Sequence, residues 1–260
     1  MSSKPIGIFD SGVGGLSIWN EIHQLLPVES TLYLSDSQNA PYGPKGKDAI
    51  INLSIKNTEW LINQGCKLIV VACNTATTNA IDTLRKNYSI PFIGIEPAIK
   101  PAALQSTSKA IGILATKGTL SSQLFHKTSE LYSNNLVVVE QVGNGIVELI
   151  ENGKLYSNEM KDLLQHYLKP MLDANIDCLV LGCTHYHFLT PILEQQLPRN
   201  VKIIDSGKAV ARQTKSVLEN TALLNAEITA GTQKFYTNGD EKIIASLLNL
   251  EQISLQKLEF

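Results

Sequence analysis

Two short segments could do chemistry. Cys73-Asn74-Thr75 and Cys183-Thr184-His185 each set a thiol directly after an unbroken apolar run and directly before hydrogen-bonding side chains. A thiol between a strand end and a helix start meets unpaired main-chain N–H groups and about half a unit of positive charge from the helix dipole. That setting is expected to lower the thiol pKa from its reference of about 8.5. The same N–H groups, with the Thr75 and Thr184 hydroxyls and the Asn74 amide, suit a carboxylate. One cysteine at a strand end is ordinary packing. Two in matching contexts point to a pair of acid/base groups acting on an anionic substrate.

Other residues at predicted strand ends join them. Asp10-Ser11 opens the turn Asp10-Ser11-Gly12-Val13-Gly14-Gly15. This turn lacks the G-x-x-x-x-G-K-[ST] phosphate loop and holds only a fragment of the dinucleotide fingerprint, so no cofactor follows from it. Asp10 is either a helix cap or a group that assists a thiol or holds a substrate ammonium. Asp36 follows the second strand. Tyr42-Gly43 lies in a long polar loop that either covers the cleft or is a plain Pro-flanked turn. His185 is a general acid or base, or a helix-start histidine satisfied by its neighbours. Glu151 precedes Asn152-Gly153, a helix C-terminus where an acid opposes the dipole, which hints at another role. Cys66 and Cys178 stand at strand starts and read as structural, and His23, His126, His166 and His187 as surface or packing residues.

These residues need a scaffold, and the apolar runs supply one. Ile6–Phe9, Thr31–Ser35, Lys67–Ala72, Pro91–Ile95, Ala110–Ala115, Val137–Val142, Cys178–Gly182 and Val201–Ile204 read as strands, and amphipathic stretches between several of them read as helices. Runs such as Leu68-Ile69-Val70-Val71 predict burial on both faces, hence parallel sheets covered by helices and an α/β class. Three segments recur in order: Ile6–Ser11 resembles Ile111–Thr116, Leu68–Thr75 resembles Leu179–Thr184 with the cysteines in register, and Phe92–Ile95 resembles the region of Ile203-Ile204. Two similar α/β units facing each other are expected, one of residues 1–96 with 206–260 and the other of 97–205. In open α/β sheets ligands bind beyond the carboxyl ends of the strands, where the polar residues above fall.

Bulk properties exclude several classes. The 260 residues carry a formal net charge of -2, with 43% hydrophobic and 18% charged residues, which suits a globular chain. No basic stripe suggests nucleic acid. Neither a secretion signal nor an apolar run long enough for a membrane is seen, so a cytoplasmic location is expected. Four cysteines without a C-x-x-C pair argue for free thiols and against structural zinc.

The motifs I-G-I-F-D-S-G-V-G-G-L at Ile6–Leu16, A-P-Y-G at Ala40–Gly43, V-A-C-N-T-A at Val71–Ala76 and L-G-C-T-H-Y at Leu181–Tyr186, with I-E-P at Ile95–Pro97 and D-S at Asp205-Ser206, resemble the glutamate racemases of the cofactor-independent aspartate/glutamate racemase superfamily. The resemblance implies two flavodoxin-like domains with the site between them, commonly in a homodimer, and no cofactor or metal. It implies that Cys73 and Cys183 are the catalytic pair, Asp10 assisting Cys73, and His185 with Glu151 assisting Cys183. It places Asp10-Ser11, Tyr42-Gly43, Asn74-Thr75 and Thr184-His185 on L- or D-glutamate, with Asp36 nearby, and a role in peptidoglycan synthesis. His187 stands where the family often has Pro, Thr77 where it has a small residue, and Leu149-Ile150-Glu151-Asn152-Gly153 fits its pattern loosely.

Racemisation takes the α-proton from one face and returns one to the other, so two bases must flank the carbon. Rival readings are another small acidic substrate on the same scaffold, a cysteine hydrolase with Cys183 as nucleophile and His185 as base, and a non-catalytic binding protein for acidic metabolites.

Overall fold

The computed structural model describes residues 3–132, 135–227, 229–248 and 254–260. Ten strands are seen among them: β1 Ile6–Asp10, β2 Thr31–Ser35, β3 Leu68–Val71, β4 Phe92–Gly94, β5 Ala110–Ala115, β6 Val137–Val142, β7 Cys178–Gly182, β8 Lys202–Ile204, β9 Gln233–Thr237 and β10 Ser254–Lys257. They form two sheets, one in the order β10-β9-β2-β1-β3-β4 and one in the order β6-β5-β7-β8. Every ladder is parallel. The α/β expectation holds, and β1 to β8 all fall within a residue of their expected bounds.

The central strands are buried on both faces, with Ile6, Ile8, Phe9 and Leu68–Val71 fully inaccessible. Helices cover them because their sequences carry one apolar face. In helix Leu16–Leu25 the buried face is Leu16, Ile18, Trp19 and Ile22, the spacing of a 3.6-residue period. Trp19 meets Phe235 of β9 edge-on at 4.8 Å between ring centres. One buried cluster runs without a break through both sheets, joining Ile8 and Val70 of the first to Leu149, Leu181 and Tyr186 of the second. The two units, called lobes below, are therefore docked through shared core.

Two elements differ from expectation. The C-terminal region contributes β9 and β10 to the first sheet, extending it beyond β2. The segment after Cys183 is a 3-10 helix, Thr184–Leu189, not the start of an α-helix. Pro191 marks where it must end. It has no N–H for the His187 carbonyl, so an α ladder cannot pass from 187 to 191. The Thr190 hydroxyl takes that carbonyl instead at 2.8 Å, and helix Thr190–Gln196 begins afresh.

Candidate active site

The carboxyl ends of β1, β3 and β7 bring the two cysteines, Asp10 and His185 into one buried neighbourhood. Cys73 ends β3 and caps helix Asn74–Asn87, its Sγ accepting the Ala76 N–H at 3.4 Å. Its other neighbour is Ser11, whose Oγ is 3.6 Å away. Cys183 ends β7 and has His185 Nδ1 at 3.8 Å. Each sulfur lies within electrostatic reach of the other. All four cysteines are free and buried, and Cys66 and Cys178 lie at the opposite strand ends.

Asp10 sits between the lobes. One carboxylate oxygen accepts the Gly15 N–H at 2.9 Å and that of Gly12 at 3.3 Å. The other accepts the Thr184 hydroxyl at 3.4 Å, from the facing lobe. Burial raises its pKa from 3.8 to about 6, against the pull of His185 and the Gly15 N–H. Of the readings left open, the helix cap is not met, since Gly15 caps helix Leu16–Leu25 without a side-chain bond; Asp10 binds the turn before it, beside the thiol.

His185 is buried, and its Nε2 is 2.5 Å from Glu151 Oε1. Burial alone would depress its pKa, but the hydrogen bonds to Cys183 and Glu151 outweigh it and hold the imidazole well above its ordinary value. Glu151 ends helix Ile146–Glu151, yet its carboxylate spans the lobes. Oε1 also accepts the Val13 N–H at 2.7 Å, and Oε2 accepts the Ser37 hydroxyl at 2.8 Å. Burial raises the Glu151 pKa, but the bonds from His185, Val13 and Ser37 prevail and lower it. The glycines of the first turn allow this approach. A Cβ on Gly12 would overlap the Glu151 carboxylate, and one on Gly14 would overlap His185 and Thr184.

One expectation is overturned. The helix start was to lower the thiol pKa, but Cys73 is pushed well above its ordinary value. Complete burial is the main cause and the neighbouring Asp10 charge the second, and the Ala76 N–H and Ser11 do not offset them. A thiolate stripped of water loses more than one helix N–H returns.

The remaining residues fall around this centre. Thr75 Oγ1 pairs across the lobes with Thr116 Oγ1 at 2.7 Å, with Thr119 at 3.3 Å. Asn74 Nδ2 reaches the Ile95 carbonyl at 3.4 Å, and its Oδ1 is buried without a partner. Tyr42 is buried and donates its hydroxyl to Asp36 at 2.6 Å. Asp36 is held by Asn238 at 2.6 Å and Asn39 at 2.8 Å as well, so it stands behind Tyr42 and braces it. Gly43 packs against Thr116 and Gly118 of the second lobe. Thr77 donates to the Val71 carbonyl at 3.0 Å and accepts the Ile95 N–H at 3.0 Å, tying β3 to β4. His187 lies half exposed, 3.9 Å from Asp205. Ser37, Thr116 and Thr119 escaped the sequence reading. Each is a small hydroxyl whose partner lies on the other lobe, and only Thr116 had a signal, as the counterpart of Ser11 in the repeat.

A family model described as Asp/Glu/hydantoin racemase matches residues 7–214. The chain belongs to that family. It is 43% identical over 247 residues to a glutamate racemase of Herpetosiphon aurantiacus, covering 95% of this chain and 97% of that one. Among solved structures in the family, the Escherichia coli glutamate racemase in complex with L-glutamate and an activator, UDP-MurNAc-Ala, aligns with a TM-score of 0.86 at 33% identity, covering 98% of each chain. The Francisella tularensis glutamate racemase in complex with D-glutamate aligns with a TM-score of 0.85 at 28% identity, covering 100% of this chain and 98% of that one. The reading of the chain as an amino-acid racemase with two α/β units is thereby met. No helix among the described residues is long and apolar enough to cross a membrane.

Proposed function

We propose that this chain interconverts L- and D-glutamate with Cys73 and Cys183 as its two proton-transfer groups and no cofactor. The observation that carries the reading is the pairing of the thiols. They end equivalent strands of two facing sheets, and each has its own titratable partner, Asp10 for Cys73 and His185 with Glu151 for Cys183.

Burial and Asp10 keep the proton on Cys73 in the resting enzyme. Cys183, with His185 beside it, takes the α-proton of the enantiomer that presents it to that side. Cys73 then protonates the opposite face, and the roles exchange for the other enantiomer. The α-proton is weakly acidic, so the negative charge that develops on the substrate must be stabilised by donors in a site shielded from water. The N–H groups opening helix Asn74–Asn87, with Ser11, Thr75 and Thr184, serve one carboxylate. The main-chain amides of Tyr42-Gly43 remain for the other, since the Tyr42 hydroxyl is committed to Asp36. The free Asn74 Oδ1 suits the ammonium.

Cys183, His185 and Glu151 in line would also suit a cysteine hydrolase. That chemistry has no use for Cys73 or Asp10, which the two-base scheme employs. We further propose that the units divide near residues 96 and 206, that the enzyme is a cytoplasmic homodimer, and that its product enters peptidoglycan synthesis.

The test is incubation of purified protein with L-glutamate in D₂O without added cofactor, followed by circular dichroism and NMR. D-Glutamate carrying one deuteron at Cα is expected. No inversion, or turnover by a variant lacking both thiols, overturns the reading.

A further inference from the structure

Glu151 is the second-lobe residue that holds His185, yet two of its three hydrogen bonds come from the first lobe. Ser37 supplies the side-chain one, at 2.8 Å to Oε2. Ser37 is the first residue of a single 3-10 turn, Ser37–Asn39, that follows β2. Its Oγ also lies 3.0 Å from Ser35 Oγ. A hydroxyl has one proton. Ser37 gives its own to the carboxylate, so Ser35 donates to Ser37, and the direction of the chain is set. Gly239 makes room for this, because a Cβ there would lie 2.5 Å from Ser37 Cβ. Beside the pair a crevice of about 230 Å³ is lined by Ser37, Glu148, Glu151 and Asp240.

We propose that Ser37 is a positioning residue for the Cys183 half of the reaction, which it serves only when the lobes are docked. From across the cleft it stabilises the Glu151 carboxylate, Glu151 in turn holds His185, and His185 serves Cys183. Parting the lobes would strip Glu151 of Ser37 and Val13 together. The charge that favours imidazolium at His185 would then be less firmly held. Cys73 has no such dependence through Ser37, because Ser11, Ala76 and Asp10 all belong to its own lobe. The inference rests on the two-thiol reading above. The ionisable groups near Glu151 are His185, Asp10 and Tyr33 within the site, and Glu148 of its own helix with Asp240, which line the crevice beside it.

The test compares wild type, Ser37→Ala and Ser37→Thr. In Ser37→Ala, kcat/KM falls about tenfold, the loss of one hydrogen bond to a charged group. The fall is equal in both directions, since enantiomers have equal free energy. Three readouts separate positioning from a general disturbance. The acid limb of kcat/KM moves to higher pH, because the lost bond had lowered the Glu151 pKa. The α-deuterium isotope effect rises for the enantiomer deprotonated by Cys183 and falls for the other, whose final protonation by Cys183 becomes slower. The His185 imidazole, followed by ¹⁵N NMR without substrate, titrates at lower pH. Ser37→Thr, which keeps the hydroxyl, restores all three. Unchanged limb, isotope effects and His185 titration, or isotope effects that shift equally for both enantiomers, overturn the proposal. Wild-type protein that fails to racemise glutamate would sink the assigned function, and the His185 titration would still decide the role of Ser37.

Discussion

The two thiol neighbourhoods descend from one pattern and end in opposite surroundings. Both sulfurs follow a buried parallel strand and precede a turn of helix. Cys73 is enclosed with a carboxylate, Asp10, which pushes its pKa up. Cys183 adjoins an imidazole that its bonds to Cys183 and Glu151 hold well above its ordinary pKa, against burial. The first setting depends on one lobe, apart from the Thr184 bond to Asp10. The second is assembled from both. The difference teaches that a repeated scaffold can place two like groups at equivalent strand ends and give them unlike charged neighbours. In the two-base scheme proposed above, one thiol gives a proton when the other takes one.

The largest effect belongs to the sulfurs. Cys73→Ala and Cys183→Ala should each lower racemisation by about 10³-fold or more. Each variant should still exchange the α-proton of one enantiomer with D₂O, and the two variants should favour opposite enantiomers. Exchange of the same enantiomer by both, seen by NMR, would break the comparison.

Next come the partners. His185→Asn should cost about 10²-fold in kcat/KM. Asp10→Asn should cost a similar factor, and it should also let iodoacetamide alkylate Cys73 at lower pH, because the Asp10 charge had raised that thiol. An unchanged alkylation profile would remove Asp10 from the account.

The two acids sharpen the contrast through stability. The folded pKa of Asp10 is raised from 3.8 to about 6. A raised acid favours folding at low pH, and this contribution is lost as pH rises through about 6. At pH 8 the buried charge therefore costs about 3 kcal/mol, from about two pKa units at 1.36 kcal/mol each. Asp10→Asn should raise the melting temperature at pH 8 and leave it nearly unchanged near pH 3. Glu151 is lowered, so its contribution is present above the unfolded carboxylate pKa and lost as pH falls through the folded one. Glu151→Gln should lose about 1–3 kcal/mol at pH 7. Chemical denaturation at both pH values checks the opposite signs.

The smallest effect is expected at the far strand ends. Burial pushes Cys66 up to about 12, and Cys178 is raised as well, with burial the main cause. Cys66→Ala and Cys178→Ala should change kcat by less than about twofold, since they touch nothing at the cleft, with a stability loss of about 1 kcal/mol. A larger loss of activity would mean that the two ends of the sheet are not independent.

Legibility followed burial. Most of the strands read from the sequence are buried on both faces, where nearly every residue must be apolar; β6 and β8, none of whose residues is fully buried, are the exceptions. The missed β9, Gln-Lys-Phe-Tyr-Thr, has one fully enclosed apolar side chain, Phe235. β10, Ser-Leu-Gln-Lys, is a largely exposed edge with none. Such strands are stabilised by ladder hydrogen bonds, which leave no mark in composition. The 3-10 turn after Cys183 was missed as well, although Pro191 marks where a new helix must begin.

By itself the sequence determined the α/β class and the paired strand ends, and it named the candidate reacting groups. Those depend on local causes: apolar runs need burial, and a strand end is where a polar group can meet a ligand. The tertiary structure alone decided the proton affinities and the cross-lobe bonds. Burial of Cys73 reverses what its helix start would do, and Glu151 meets Val13 and Ser37 only because two sheets far apart in the chain close on each other. Desolvation and charge pairing act over ångströms in space, and the order of residues records only distance along the chain.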